Sequence, residues 1–468
     1  MLLAQASFST KASPASAGRQ SAAEVAGIWQ GTIDAGGTKL RVVLKVSKGT
    51  DGTLTAALDS IDQGAKDLKV DTISVKDSTF SFEMKMLGAS YTGRLNNDGS
   101  EINGQFTQGG GSIPLVFRRG EKPPEPKRPQ EPKPPYPYNE EEVVFENKSA
   151  GVKLAGTLTL PRAGGPFAAV LLITGSGPQD RNEMVFGHKP FMVLADHLTR
   201  SGLAVLRYDD RGIGKSTGEF GKANTEDFAG DAVAGVEYLK TRKEINPKQI
   251  GLIGHSEGGI IAPIVAVRSP DVAFVVLLAG TAMPGDQLLY LQGNLLAKAA
   301  GASDQAIADQ RALQEAMFAI VRQERDSVAA ERKLREHLGN SIAGLPEEQK
   351  KAALQQIEVQ IKTVNSPWFR YFLTYDPVPM LKRVQCPVLA LNGGRDLQVP
   401  PKENLEKIAA VLKESSNKDY KTVVFPGLNH LFQTCTTGLV SEYTTIEETI
   451  SPPVLATISD WLLAHTKR

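Results

Sequence analysis

Between residues 24 and 120 apolar and polar positions alternate in short stretches, at 40–46, 54–58, 79–86, 90–95, 101–105 and 113–117, separated by turn signals such as Asp51-Gly52 and Asn97-Asp98-Gly99. Strict alternation sends successive side chains to opposite faces of a strand, so 24–120 is predicted to be a small antiparallel β-domain, a barrel or a sandwich. After residue 140 the pattern changes. A hairpin (142–146, 152–160) leads into continuous apolar runs at 168–173, 204–207, 250–253, 274–278, 388–391 and 422–425, most followed by a glycine-containing turn and a helical stretch. Runs that are apolar on both faces and alternate with helices predict a mostly parallel α/β sheet. Its two parts, 140–284 and 385–468, are split by 285–384, which is rich in Ala, Leu, Gln, Glu, Lys and Arg and has helical periodicity over 303–338 and 346–363. Inserted after a strand's carboxyl end, this segment lies above the edge where open α/β sheets hold ligands and reads as a helical cap. A helical pair that only dimerises is the competing reading.

Residues 121–139 mix prolines with Lys and Glu, a composition that resists helix and sheet and favours polyproline II. The stretch reads as a semi-rigid linker able to span roughly 50 Å, with a ligand for an SH3-type domain as the alternative. Residues 1–23 begin MLLAQA, whose Ala4-Gln5-Ala6 has the small-x-small pattern of a signal-peptidase site without a full preceding apolar region. They read as the remnant of an export signal, implying a periplasmic or secreted protein, or else as a chance Ala-rich tail on a cytoplasmic one.

Composition narrows the classes. Of the 468 residues 41% are hydrophobic and 22% charged, as in globular proteins. With 53 Lys and Arg against 52 Asp and Glu the net charge is +1, which leaves no broad electrostatic footprint for nucleic acid or an anionic membrane. No apolar run approaches the roughly 18 residues of a membrane span. Two cysteines, Cys386 and Cys435, exclude a disulfide scaffold and a thiolate zinc cluster, and their placement at opposite edges of the predicted sheet leaves both free. Six histidines without HExxH or paired spacing mean that a metal site would have to be assembled from distant residues, and none is expected.

The chemistry centres on Gly254-His255-Ser256-Glu257-Gly258, a GxSxG between the strand 250–253 and the apolar helix 259–267. A serine on a tight strand-to-helix turn is presented as a nucleophile, and the flanking glycines let the backbone make the turn. Asp396 and His430 each follow a buried strand, and the order Ser, Asp, His is that of the α/β-hydrolase triad. His430 is the predicted base and Asp396 its orienter, with Asp286 as the alternative acid. The tetrahedral intermediate needs backbone donors, predicted at the amides of Glu257 and, from the loop 175–177, Ser176; a plain glycine turn is the other reading of that loop. Gly212 to Thr217 imitates a phosphate loop, but the first glycine of GxxxxGK[ST] would fall at position 209, which is Asp, so ATP is not an expected ligand. His188, His197, His337 and His465 follow no strand and read as surface or packing residues.

On these motifs the chain resembles the α/β-hydrolases, specifically bacterial EstD-type carboxylesterases with an N-terminal β-domain. The resemblance rests on Gly175-Ser-Gly-Pro-Gln-Asp-Arg181, Tyr208-Asp-Asp-Arg-Gly-Ile-Gly-Lys-Ser-Thr-Gly218, Gly254 to Gly259, Gly394-Arg-Asp396 and Asn429-His430, and covers 142–468 well. It implies serine-esterase activity on carboxylic esters without a metal or organic cofactor, and a triad of Ser256, Asp396 and His430. The Gly27-Ile-Trp29-Gln-Gly31 opening resembles the first strand of small lipocalin-like barrels, whose mouth could hold a small apolar ligand; an accessory packing module is the plainer alternative. In the cap, Ser366-Pro-Trp368-Phe369-Arg-Tyr371-Phe372 is the densest aromatic cluster, and Trp368 and Phe369 are candidate pocket residues, with cap–body packing as the alternative. The expected partner is a small-molecule ester, with homodimerisation through the cap or β-domain open. The competing functions are a serine peptidase, amidase or thioesterase of the same fold, and a ligand-binding protein with a vestigial hydrolase domain.

Overall fold

The computed structural model describes residues 25–35, 38–61, 65–108, 111–121, 127–344, 347–415 and 417–466, so the export-signal reading of 1–23 lies outside the described residues. The chain divides into two compact units with their boundary after Pro124.

The first unit is one antiparallel sheet of nine strands: β1 (Gly27–Ala35), β2 (Thr38–Lys48), β3 (Leu54–Ser60), β4 (Ala65–Lys69), β5 (Thr72–Lys76), β6 (Thr79–Met84), β7 (Ala89–Leu95), β8 (Glu101–Gln108) and β9 (Gly111–Arg119). The order β4-β3-β2-β1-β9-β8-β7-β6-β5 curls into a half-barrel. The inward positions of the alternating stretches, Trp29, Leu44, Phe80, Phe82, Tyr91 and Phe117 among them, form its core. Two buried polar tips are satisfied there: Trp29 Nε1 donates to the Val25 carbonyl (2.8 Å) and Tyr91 Oη to that of Ile102 (2.9 Å). Strands β4 and β5 escape the hydrophobic pattern because they are edge strands with no fully buried position.

The second unit holds β10 (Asn139–Asn147), β11 (Val152–Leu160), β12 (Phe167–Ile173), β13 (Ala204–Tyr208), β14 (Ile245–His255), β15 (Val272–Leu278), β16 (Val388–Gly393) and β17 (Tyr420–Phe425) in the order β10-β11-β13-β12-β14-β15-β16-β17. From β13 onward neighbouring strands are parallel. Alternate residues of β12 enter different cores: Ala169, Leu171 and Ile173 pack on one face, Ala168, Val170 and Leu172 on the other. This is why the run reads as continuously apolar. Helices α1 (Pro190–Arg200), α2 (Thr225–Lys240) and α3 (Gly258–Arg268) follow β12, β13 and β14. The cap between β15 and β16 comprises α4 (Gly285–Ala299), α5 (Asp304–Gln323), α6 (Ser327–Ser341), α7 (Glu347–Val364), α8 (Pro367–Thr374) and α9 (Val378–Leu381); α10 (Pro401–Glu414) and α11 (Pro452–Thr466) complete the unit. The periodicity over 303–338 is carried by two helices, because the Asp326 carboxylate caps α6 by accepting from Ala329 N (2.8 Å). No helix among the described residues is long and apolar enough to cross a membrane.

Both cysteines are free: Cys386 lies before the start of β16 and Cys435 beyond the end of its neighbour β17, so they sit toward opposite ends of adjacent strands. From Lys127 the proline-rich stretch lies along the second unit, where Tyr138 Oη donates to Asp196 (2.9 Å) and Lys189 Nζ to Glu131 (2.7 Å).

Candidate active site

The sheet order reverses at β12, with β13 on one side and β14 on the other, and a crevice opens outside the carboxyl ends of strands at such a switch point. Ser256 follows β14 there with φ +53°, a left-handed conformation unusual for a residue with a Cβ. Its amide is fixed by the Leu278 carbonyl (2.8 Å). The glycines at either end of GxSxG serve close approach: a Cβ on Gly254 would lie 1.9 Å from the Gly258 carbonyl oxygen, and one on Gly258 2.2 Å from that of Ile173. Strain at the serine and packing at the glycines together define the elbow.

The other two residues come from the ends of β16 and β17. His430 Nδ1 donates to Asp396 Oδ2 at 2.7 Å, and both side chains are buried. Asp396 Oδ1 accepts the amides of Gln398 (2.8 Å) and Val399 (2.9 Å), so the carboxylate is fully engaged. The turn carrying His430 is stapled by Asn429 Oδ1, which accepts the amides of Leu431 (3.0 Å) and Gln433 (2.9 Å). Asp286 lies instead on α4, where it pairs with Arg322 (2.6 Å).

Ser256 and His430 line one cleft of about 140 Å³ with Gly175, Ser176, Glu183 and His255; its apolar wall is Val185, Phe186, Leu431, Val440 and Tyr443. The loop after β12 presses on the serine, since a Cβ on Gly175 would come within 3.2 Å of Ser256 Cβ. Among the described residues, the amides of Ser176 and Glu257 have no protein acceptor.

Three buried carboxyl groups surround the cleft, and the sequence reading assigned a role to none of them, naming Glu257 only for its backbone amide. Glu183 Oε1 accepts both Gly175 N (2.7 Å) and His255 Nδ1 (2.9 Å), and His255 Nε2 donates to the His430 carbonyl (3.1 Å). Both ring nitrogens of His255 therefore face acceptors. Burial disfavours its charged form, but the Glu183 carboxylate outweighs that and holds the pKa above its ordinary value. Asp210, accepting from Thr174 Oγ1 (2.8 Å) and Gln179 N (3.0 Å), is pushed up to about 8, chiefly by burial. Glu257, next to the serine, is raised by burial to about 6, while Thr225 Oγ1 (2.6 Å) and Trp368 Nε1 (2.7 Å) stabilise its carboxylate.

Trp368 is thus tied to the elbow by its indole N–H, and its ring stacks on Phe372 (5.2 Å between centroids). Phe369 is buried in the cap's own core with Phe318 and Leu373. Neither lines the cleft that contains Ser256. The glycine turn that imitates a phosphate loop wraps a carboxylate: Asp209 Oδ2 accepts Lys215 N (3.1 Å), and Arg181 closes on both its oxygens. His188 is fully buried between Thr449 Oγ1 and the Tyr443 carbonyl (3.0 Å each), and burial lowers its pKa to about 4.

The doubly covered sheet, the capped insertion and the serine elbow facing a histidine–aspartate pair define an α/β-hydrolase. A family model described as "Serine aminopeptidase, S33" matches residues 189–434, more than half of the chain, and the chain belongs to that family. Among curated proteins it is 30% identical over 294 residues to "Esterase EstD" of Thermotoga maritima, covering 61% of this chain and 60% of the relative. To an uncharacterized Mycobacterium tuberculosis protein it is 33% identical over 135 residues, covering 29% and 44%. The chain thus matches less than two thirds of the length of these relatives. A solved Pyrococcus furiosus esterase aligns at 19% identity with a TM-score of 0.39, covering 62% of this chain and 83% of that one.

Proposed function

We propose that the protein is a serine carboxylesterase acting on short- to medium-chain esters. The observation that carries this reading is the opening of Ser256, at φ +53°, and of the Asp396-bound His430 into the same cleft. In the proposed reaction Ser256 Oγ adds to the ester carbonyl carbon while His430 Nε2 accepts its proton. The oxyanion is held by the amides of Ser176 and Glu257. Collapse breaks the carbon–oxygen bond to the alcohol, which leaves with the proton from His430. Water then repeats the sequence on the acyl-Ser256, releasing the acid and restoring the serine. Asp396 keeps the Nδ1–H tautomer and stabilises the imidazolium.

The cleft's size and walls favour small esters. At about 140 Å³ it is below the roughly 300–1,000 Å³ of clefts for drug-sized ligands. An aminopeptidase, the activity in the family's description, would need a carboxylate free to take a substrate amine; Glu183, the carboxylate in the lining, is already matched to His255. Hydrolysis of p-nitrophenyl esters from acetate to palmitate, beside aminoacyl p-nitroanilides and with Ser256→Ala as control, tests the proposal. Ester turnover that is lost in the variant is expected. Turnover of anilides alone would replace the esterase with an amidase.

A further inference from the structure

The cleft's apolar wall is braced by a segment that precedes the α/β sheet in the chain and supplies none of the triad. Arg128 spreads its guanidinium over four carbonyls, that of its neighbour Lys127 (3.1 Å) and, across the fold, those of Phe186 (3.0 Å), Gly187 (3.2 Å) and Ile446 (2.9 Å). Phe186 has φ +49° and Glu183, three residues earlier, φ +51°. Bulky side chains rarely adopt this conformation, and it persists where surrounding contacts over-determine it. The Phe186 ring meets Tyr443 edge-on at 5.7 Å, and both rings line the cleft.

Two residues on, Gln130 braces the Tyr443 side. Its Nε2 donates to the Ile450 carbonyl (2.6 Å), and its Oε1 accepts the amides of Thr449 (2.5 Å) and Ile450 (3.1 Å). The Thr449 hydroxyl holds His188 Nδ1 (3.0 Å), and His188 Nε2 donates to the Tyr443 carbonyl (3.0 Å). One short strap therefore holds both aromatic walls.

We propose that Arg128 and Gln130 are specificity-determining positioning residues: the strap sets the separation of Phe186 and Tyr443 and thereby limits the length of acyl chain the cleft admits. The proposal rests on the esterase reading for its substrate. Releasing the strap lets the loops 183–188 and 446–450 relax, which widens the cleft and admits longer chains.

The test uses the full chain and two variants, Arg128→Ala and Gln130→Ala, so that a folding failure in one leaves the other. The kcat/KM ratio of p-nitrophenyl octanoate to acetate is expected to rise by about tenfold, within the range that single pocket contacts discriminate, and chiefly through KM for octanoate. Amide exchange in 185–188, where Val185 and His188 bond each other, is expected to quicken by about tenfold in Arg128→Ala. An unchanged or lowered ratio in a folded variant overturns the proposal, and so does unchanged exchange in Arg128→Ala, which needs no substrate. A wild-type protein that hydrolyses no ester refutes the esterase reading instead, and with it the role in acyl selection.

Discussion

The hydrogen bond from Trp368 to Glu257 joins the cap to the residue beside Ser256, and replacing Trp368 with Phe removes it while keeping an aromatic ring. Glu257 is 5% exposed, and its carboxylate oxygen Oε1 has two donors, Thr225 and Trp368. A bond to a charged acceptor contributes about 1.5–3 kcal/mol and one to a neutral acceptor about 0.5–1.5 kcal/mol. The variant should therefore lose about 1–2 kcal/mol more when Glu257 is ionised than when it is protonated. Burial already raises this group to about 6 from an ordinary 4.5, so the native state binds its proton more tightly than the unfolded chain. Its contribution to stability declines as pH rises through that window. In Trp368→Phe the native pKa rises further, by about one, and the decline continues to higher pH. Urea unfolding at pH 5 and pH 8 separates the effects, because packing lost with the smaller ring is the same at both. The excess destabilisation at pH 8 should be about 1–2 kcal/mol. Equal destabilisation at the two values would refute the claim that the indole supports a carboxylate.

Asp210 gives a second pH signature. Raised from 3.8 to about 8, it keeps its proton in the native state over a range where the unfolded chain has lost it, so stability falls with rising pH between those limits by up to about 1.4 kcal/mol per pH unit. In Asp210→Asn, whose amide can still serve Thr174 and Gln179, unfolding should lose that part of its pH dependence; a curve as steep as wild type would contradict the assignment. At Gly175 an added methyl would meet Ser256 Cβ and Glu183 Oε1 at 3.2 Å each, so Gly175→Ala shifts the loop by tenths of an ångström. An esterase kcat lowered by about ten- to a hundredfold with little change in melting temperature is expected, and full activity would argue against this loop as the source of an oxyanion donor.

Much of the frame is legible from the residues because its signals are local. Strands buried on both faces appear as apolar runs, and the strand–GxSxG–helix order places Ser256 without any tertiary information. The ordering of Asp396 and His430 after later strands is likewise visible, and they meet at 2.7 Å. What escapes depends on contacts between distant positions. Glu183 and His255 are 72 residues apart and pair through a loop in which Glu183 has φ +51°. Trp368 belongs to an aromatic cluster that suggests a pocket lining, yet its indole is committed to a carboxylate 111 residues away. The proline-rich stretch has neither helix nor strand over 127–138, in line with its composition, but Arg128 reaches Ile446 across 318 residues, which no composition argument could foresee. The break between α5 and α6 did have a local signal, the Asp326-Ser327 pair at a helix start, which uninterrupted periodicity obscured.

The central claim is that Ser256 is a nucleophile activated by His430, and peptide mapping by mass spectrometry after treatment with a fluorophosphonate tests it most directly. The account predicts one phosphonylated residue, Ser256, with labelling abolished in Ser256→Ala and slowed by about a thousandfold or more in His430→Ala. An adduct on another residue, or labelling of Ser256 at the wild-type rate without His430, would contradict it.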